Sequence, residues 1–252
     1  MKTKQIALLS IIAISFIALS AIGCTNKKTT KEVVENKEVI NTLTSQEKEK
    51  GWELLFDGVS LDNWKTFNGE EVTNWTIVDG VLHNSGEGSD HGGDIITRKK
   101  YENFELYLEW NISPLSNSGI FIRATEGIVN TIYETAPEYQ LSDDIGIQEK
   151  RERNKNQFTA ASYGMYETKD ASINATGEWN TSKIVVNGAH VEHWLNGKKV
   201  VEFELWSDDW KERKANSKWK DTPHYGMSET GHIGLQDHGG LTKFRNIKIR
   251  EL

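Results

Sequence analysis

Alternation of apolar and polar residues dominates the chain after residue 100. In "NFELYLEWNI", Phe104, Leu106, Leu108 and Trp110 share one face of an extended strand, and polar or charged residues occupy much of the other. "KIVVNGAHVEHWLNGKKVVEF" alternates in the same way and contains two Asn-Gly pairs, which tolerate positive φ and predict two tight hairpins. The pattern therefore predicts antiparallel strands.

Helical periodicity is scarce. Only "SDDWKERKANSKWK" has a helical pattern, with Ser207 as its expected N-cap. No segment recurs with the period of about 20 to 50 residues that a propeller or a solenoid requires. Nine tryptophans and 21 glycines against three prolines are typical of many strands and turns. We predict an all-β fold of two antiparallel sheets packed as a jelly-roll sandwich, with few short helices.

The N-terminal segment has a different pattern. "MKTKQIALLSIIAISFIALSAIGC" combines a basic start, an apolar run and small residues, which predicts a signal peptide over residues 1–24. "AIGC" resembles the bacterial lipobox, in which Cys24 becomes lipidated. A single transmembrane anchor is the alternative, but an apolar run of about 17 residues is at the lower limit for a spanning helix. We expect an exported bacterial lipoprotein, anchored in a membrane and facing the periplasm or the cell surface.

Composition divides the remainder of the chain. Residues 25–50 lack aromatic residues, glycine and proline, so we expect a flexible tether, followed by a β-sandwich domain over residues 51–252. Cys24 is the only cysteine, which excludes an intramolecular disulfide. The chain has 30 Lys and Arg against 37 Asp and Glu, and this acidic balance argues against a nucleic-acid partner and is compatible with a neutral ligand.

Polar residues at alternate positions of several strands are candidates for a binding site. "PEYQLSDD" places Glu138 and Gln140 on the face opposite Tyr139. In "LQDHG", Gln236 and His238 share a face, and Asp237 has the opposite parity and is expected to fix the following Gly-Gly turn. Sandwich proteins often bind a ligand across one open sheet face. The candidate site residues are Asn117, Arg123, Glu138, Gln140, His193, Gln236 and His238.

Several longer strings together resemble one family. "GWELLFDGVSLDNW", "NWTIVDGVL", "YENFELYLEWNISPLSNSGIFIR", "PEYQLSDD", "GEWN", "VEHWLNGKKVVEF" and "GHIGLQDHGGLTKFRNIKIREL" occur in the order expected of the 3-keto-disaccharide hydrolase family, formerly a domain of unknown function. The resemblance spans residues 51–252. It implies a concanavalin A-like fold, as in lectins and glucanases, a saccharide substrate and an upstream sugar 3-oxidoreductase as functional partner.

The chemistry that this resemblance implies depends on a ketone at ring carbon 3. The ketone acidifies the proton on carbon 2, a base removes it, the enolate expels the glycosidic oxygen, and water then adds to the glycal. The resemblance implies that Arg123, which is permanently charged, stabilises the enolate. It also implies Glu138 or His193 as the base and His238 as the acid for the leaving group. The expected hydrogen-bonding partners of the sugar hydroxyls are Asn117, Gln140 and Gln236.

The residue types also allow two enzymatic alternatives to this reaction. A divalent metal ion held by Glu138 with His193 or His238 is possible, because carboxylate and imidazole are competent ligands, although no close ligand spacing such as H-E-x-x-H occurs. A direct glycosidase needs two carboxylates that flank the bond. Glucanases of this fold supply them from an E-x-D-x-x-E strand, which the chain lacks. Direct glycoside hydrolysis is therefore disfavoured.

A non-catalytic carbohydrate-binding lipoprotein is the alternative from another class. It would use Trp194, Trp179 or Tyr139 to stack on sugar rings. Trp194 has the opposite parity to His193, and Tyr139 the opposite parity to Glu138, so these aromatic residues are expected away from the ionisable ones. This separation favours the enzyme.

Overall fold

The computed structural model describes residues 39–86 and 93–252. The predicted signal peptide, Cys24 and most of the predicted tether lie outside the described residues. Across those two ranges, no helix is both long enough and apolar enough to span a membrane.

Thirteen strands form two antiparallel sheets in the described ranges. The larger sheet contains β1 (Glu53–Leu54), β3 (Trp75–Val78), β4 (Val81–Asn84), β6 (Phe104–Ile112), β9 (Trp179–Asn187), β10 (His190–Leu195), β11 (Lys198–Glu204) and β13 (Thr242–Glu251). The smaller sheet contains β2 (Trp64–Thr66), β5 (Ile95–Thr97), β7 (Asn117–Ala124), β8 (Glu138–Ser142) and β12 (His232–Leu235). Their orders are β11-β10-β9-β6-β13-β4-β3, with β1 also paired to β13, and β2-β5-β12-β7-β8.

Helices are short among the described residues. They are α1 (Ser45–Glu49), α2 (Asp144–Gln148), α3 (Asp208–Ala215) and the 3-10 helices Ile132–Glu134 and Lys155–Gln157. The prediction of an all-β, two-sheet antiparallel sandwich is confirmed.

The main core lies between the two sheets. Leu106, Leu108 and Trp110 of β6 are fully buried, as the alternation predicted. Tyr139 and Leu141 of β8 belong to the same cluster, so Glu138 and Gln140 lie on the other face of the smaller sheet. Burying each such apolar side chain stabilises the fold by about 1.5–3 kcal/mol. This free energy keeps Tyr139 and Leu141 inside, so the other face of β8 points outwards.

The predicted hairpin turns and the predicted helix cap are also present. Asn187-Gly188 joins β9 to β10, and Asn196-Gly197 joins β10 to β11 with φ of 48° and 80°, both in the left-handed region that this turn requires. Ser207 caps α3, since its Oγ accepts a hydrogen bond from the Trp210 backbone N–H at 3.1 Å. The helix ends at Ala215.

The end of the predicted tether is part of the folded unit. Asn41 is buried and exchanges hydrogen bonds with Asn246: its N–H donates to Asn246 Oδ1 at 2.6 Å, and its Oδ1 accepts from the Asn246 N–H at 2.7 Å. Thr44 then caps α1. Composition did not predict this contact, because one pair of hydrogen-bonded asparagines fixes a segment that is otherwise polar. Residues 39–50 are therefore packed on the sandwich instead of forming a tether.

Candidate active site

A row of polar positions crosses the outer face of the smaller sheet. β7 and β8 pair Gly119 with Gln140, and the Gln236 backbone N–H donates to the Gly119 carbonyl at 3.0 Å. The pairing of β12 with β5 places Asp94 beside Gln236 on its other side. Asp94, Gln236, Gly119 and Gln140 thus lie side by side on four neighbouring strands.

The carboxylate of Glu138 reaches the centre of this row, above Gly119. A Cβ atom at Gly119 would overlap the Glu138 carboxylate, so the missing side chain lets Glu138 extend from β8 across β7. The pKa of Glu138 is raised to about 8: burial raises it most, the positive charge of Lys218 opposes the increase, and the negative charge of Asp94 adds to it. The carboxyl is therefore mostly protonated at neutral pH and ionises near pH 8.

Amide groups flank the carboxyl. The Gln140 Nε2 donates to Asn117 Oδ1 at 2.5 Å and also to the backbone carbonyls of Ser118 and Leu141, at 3.2 and 2.9 Å, which fixes its orientation. Gln236 is only 7% exposed, and its Oε1 has no hydrogen-bond partner within the described part of the chain. A buried amide oxygen of this kind is suited to accept a hydrogen bond from a ligand hydroxyl, since leaving it unpaired costs about 1–3 kcal/mol.

A loop next to β8 forms one wall. The Tyr163 N–H donates to the Glu138 carbonyl at 3.0 Å, so Tyr163 is the neighbour of Glu138 in the next extended segment. Burial, and then the charge of Glu138, raise the pKa of the Tyr163 hydroxyl. The Lys218 Nζ lies 4.5 Å from the centroid of the Tyr163 ring. The wall thus brings a phenol and an ammonium group to the Glu138 side of the site.

The "LQDHG" segment divides into structural and site residues. Asp237 is fully buried, and its two carboxylate oxygens accept from Asn84 Nδ2 and Ser85 Oγ, both at 2.9 Å. Asn84 Nδ2 also donates to the Gly240 carbonyl at 3.2 Å, so Asp237 supports the turn as predicted. His238 is half-buried, and the carbonyl of the next residue accepts from the Asn117 N–H at 3.0 Å. His238 therefore lies next to Asn117, two residues along β7 from the Gly119 position of the row.

Arg123 does not join this group. Its φ of 54° marks a bulge in β7 that breaks the alternation from which its direction was predicted. Its guanidinium Nη2 donates to the Glu102 and Gly188 carbonyls at 2.8 and 2.9 Å, in two loops attached to the larger sheet. The predicted grouping of Arg123 with Asn117 is therefore wrong.

His193 faces the core between the sheets. Its ring lies 4.8 Å from that of Tyr139, and its Nδ1 lies 2.9 Å from the Ala160 carbonyl, to which it donates. Burial lowers the pKa of His193 to about 4, so the ring is neutral at physiological pH. Because Tyr139 and Glu138 point to opposite faces of β8, His193 and Glu138 cannot share a proton or a metal ion.

One set of possible metal ligands lies elsewhere. The ligand atoms of His190, Glu192 and Glu202 are all within 4.8 Å of one another on the β10–β11 hairpin. The Lys199 ammonium already lies between the two carboxylates, 3.0 Å from Glu192 and 2.7 Å from Glu202. A metal ion at this place would have to displace Lys199, so no cofactor is established by this cluster.

A cleft of about 920 Å³ has no residue of the polar row in its lining. It lies beside β11 and is lined by Tyr166, Lys199, Glu202, Asp209 and Arg213, among others. Its charged groups pair with one another, as Arg213 does with Asp209 at 2.9 Å. None of the residues predicted for the site lines it, and the outer face of the smaller sheet is the stronger candidate.

The structure adds three residues that the sequence did not predict. Asp94 could have been predicted from the sequence. In "GGDIIT" it has the parity of Ile96, on the face opposite the inward Ile95. Tyr163 and Lys218 lie in loops without periodicity, and no sequence signal indicates their approach to Glu138.

A two-sheet antiparallel sandwich with a buried carboxyl and buried amides on the outer face of one sheet has a lectin-like fold. Residues 51–250 match the 3-keto-alpha-glucoside-1,2-lyase-like domain, and the chain belongs to that family. This confirms the family resemblance seen in the sequence.

Individual relatives agree with the family assignment. The chain is 33% identical over 228 residues to a 3-keto-disaccharide hydrolase of Bacteroides thetaiotaomicron, covering 80% of this chain and 79% of that protein. A crystal structure of a proposed glycosyl hydrolase from Parabacteroides distasonis has 39% identity and a TM-score of 0.78, with 85% of this chain and all (100%) of that chain covered. A second one from the same organism has 30% identity and a TM-score of 0.64, covering 80% and 99%.

Proposed function

We propose that this protein cleaves the glycosidic bond of 3-keto-glycosides, including 3-keto-disaccharides, by elimination followed by hydration. The observation that carries the proposal is the buried Glu138 carboxyl, which lies across Gly119 between amide side chains and has a pKa of about 8. A carboxylate with a raised pKa is a stronger base, and the proton next to a ketone is weakly acidic, so the pair is suited to proton transfer.

The reaction begins at carbon 2 of the keto sugar. Glu138, as carboxylate, takes the proton from carbon 2, and the electron pair of that bond forms a C2=C3 double bond, which leaves the negative charge on the carbon 3 oxygen. The enolate then reforms the ketone, a C1=C2 double bond forms, and the bond from carbon 1 to the glycosidic oxygen breaks. His238, which lies beside Asn117, gives a proton to the departing oxygen. Water finally adds across C1=C2, so that the net reaction is hydrolysis.

The amides orient the sugar during these steps. The unpartnered Oε1 of Gln236 accepts from a sugar hydroxyl, and the Asn117–Gln140 pair binds a second one. Of the two candidate bases, Glu138 is retained because His193 is enclosed in the core. A purely carbohydrate-binding role is less well supported, since Tyr139 is also in the core and Trp194 carries the Lys183 ammonium 3.9 Å from its ring.

The test compares one disaccharide with its 3-keto derivative. We expect the purified protein to cleave only the keto form, and Glu138→Gln to lower the rate by at least about 10²-fold, the scale of general base catalysis. Measuring both reactions with and without a chelator decides whether a divalent metal ion takes part. Equal cleavage of the unoxidised disaccharide, or tight binding of the keto form without cleavage, would contradict the proposal.

The setting of the reaction is proposed from the sequence and the substrate. A 3-keto sugar must come from an oxidation of the carbon 3 hydroxyl, so a sugar 3-oxidoreductase acts upstream. The lipobox-like "AIGC" supports an exported protein that is anchored by lipid on Cys24. Cys24→Ser should leave the protein unprocessed or soluble, whereas an unmodified wild-type protein in the soluble exported fraction would refute anchoring.

A further inference from the structure

The proposed reaction needs a positive group near the enolate, and the residue expected for it is engaged elsewhere. Arg123 is held by the carbonyls of Glu102 and Gly188. Lys218 lies on the wall next to Glu138, since its Nζ is 4.5 Å from the ring centroid of Tyr163, whose backbone N–H donates to the Glu138 carbonyl at 3.0 Å. Its positive charge lowers the Glu138 pKa against the effect of burial. Lys218 is therefore the candidate for this role.

An aromatic surface holds the Lys218 side chain in place. Its Nζ lies 4.4 Å from the Trp219 ring centroid, 4.5 Å from that of Tyr163 and 5.9 Å from that of Tyr133. Interactions of an ammonium with ring faces contribute about 0.5–2 kcal/mol each and favour the charged form. Its aliphatic stem passes Gly164, where a Cβ would be 3.6 Å from Lys218 Cγ. These contacts direct the ammonium along the wall that contains Tyr163.

The surface below the lysine is itself rigid. Trp219 is 2% exposed, its Nε1 donates to the Tyr163 carbonyl at 3.0 Å, and its ring stacks on Tyr225 at 4.3 Å with an interplanar angle of 8°. The next ring in the stack is Trp210, 6.3 Å from Tyr225. Lys218 itself is exposed, so its position depends on this aromatic support. A cation that is positioned before charge develops nearby is the condition for effective electrostatic stabilisation.

We propose that Lys218 donates a hydrogen bond from its ammonium to the carbon 3 oxygen of the substrate and stabilises the enolate that forms there. The inference rests on the function proposed above. When Glu138 removes the carbon 2 proton, the negative charge moves to the carbon 3 oxygen, and the Lys218 N–H is not transferred but strengthens its hydrogen bond. As the C1–O bond breaks, the ketone reforms and the interaction weakens again.

The experiment separates proton removal from bond cleavage. The full-length protein is incubated in deuterated buffer with a 3-keto-glycoside, and NMR follows both exchange of the carbon 2 proton and release of the leaving group. Lys218→Met should lower kcat for both processes by about 10²–10³-fold, the usual effect of removing one group that stabilises an oxyanion, with KM changed less than about threefold. Lys218→Arg should recover part of the exchange rate because it restores the charge.

Lys214→Met is the matched control. Lys214 Nζ also lies over a tryptophan, 5.6 Å from the Trp210 ring, but it has no place in the polar row. This variant should exchange and cleave like the wild type, and thermal melting should show that all three variants are folded.

Each possible failure has a distinct meaning. A wild-type protein that neither exchanges nor cleaves the keto substrate would overturn the proposed function and this inference together. A wild-type protein that is active beside a folded Lys218→Met variant with unchanged kcat would overturn the role of Lys218 alone. A variant that loses only affinity, with higher KM and normal kcat, would also overturn it, because the lysine would then bind the ground state. Exchange restored by Lys218→Arg supports it.

Discussion

Replacing Glu138 by glutamine should make the protein more stable while it removes activity. The carboxyl is 4% exposed, and its pKa is raised from the ordinary 4.5 to about 8, mainly by burial. Between these two values the unfolded chain is ionised and the folded protein keeps the proton, so folding takes up a proton. The contribution of the protonated Glu138 to the unfolding free energy is therefore fully present below about pH 4.5. It is lost progressively as the pH rises to about 8.

The magnitude follows from the size of the shift. One pKa unit corresponds to about 1.4 kcal/mol, so a rise from 4.5 to about 8 costs the wild type up to about 5 kcal/mol of unfolding free energy at alkaline pH. Relaxation around the ionised carboxyl reduces this figure, and we expect about 2–5 kcal/mol. Glutamine keeps the shape and cannot ionise, so Glu138→Gln avoids this loss.

Urea unfolding followed by tryptophan fluorescence at several pH values measures the effect. The stability difference between Glu138→Gln and the wild type should grow by up to about 1.4 kcal/mol per pH unit between about pH 5 and pH 8. Glu178→Gln, which removes one exposed carboxylate, is the control for a simple change of charge. A difference that stays constant over this range would refute the reasoning. In the wild type, kcat/KM should rise with pH up to about 8, since only the carboxylate is a base.

Four further variants test the other parts of the site. Gly119→Ala should displace the carboxyl that lies across it and lower kcat by about 10²-fold, and Gly69→Ala, where a Cβ meets its nearest atom at 3.4 Å, should not. Asp237→Ala should cost about 2–4 kcal/mol in urea unfolding, because Asn84 and Ser85 lose their buried acceptors, whereas His238→Ala should lower turnover by about 10²–10⁴-fold with little change in melting temperature. Arg123→Met should lower the melting temperature but leave kcat within about threefold, and a large loss of kcat without unfolding would return Arg123 to the site.

Alternation along strands predicted the fold and most of the site floor. The parity of Asn117, Glu138, Gln140 and Gln236 was sufficient, because each lies in or directly beside a regular strand whose apolar residues face the core. In an antiparallel sheet, register then brings outward residues of neighbouring strands together without any further signal. The sequence could not give the strand order, and so could not show that these four residues share one sheet.

The two misplaced residues failed for different physical reasons. Arg123 sits at a bulge, where one extra residue reverses the direction of the side chain, and the opposing Gly231 has no Cβ that would collide with the Arg123 backbone. His193 has the same parity as Val191 and Leu195, which are buried, so its sequence neighbours already indicated the core. His193 was predicted as a site residue because its side chain is polar. A histidine with one backbone acceptor, however, is readily buried in its neutral form.

The loops beside β8 provide the burial that the proposed catalytic carboxyl needs on a lectin-like sheet. A strand alone cannot bury a carboxyl on an open face, because water would keep its pKa near the ordinary value. Here the segment that contains Tyr163 extends the sheet beyond Glu138, and the stack of Trp210, Tyr225 and Trp219 supports that segment from behind. The stack acts through its neighbours, since the Trp219 Nε1 donates to the Tyr163 carbonyl and the Lys218 ammonium lies over the Trp219 ring, and both are beside Glu138. Substitutions in this stack should therefore change the basicity of Glu138 more than they change the contacts that hold the sugar. We expect such variants to lower kcat more than they raise KM.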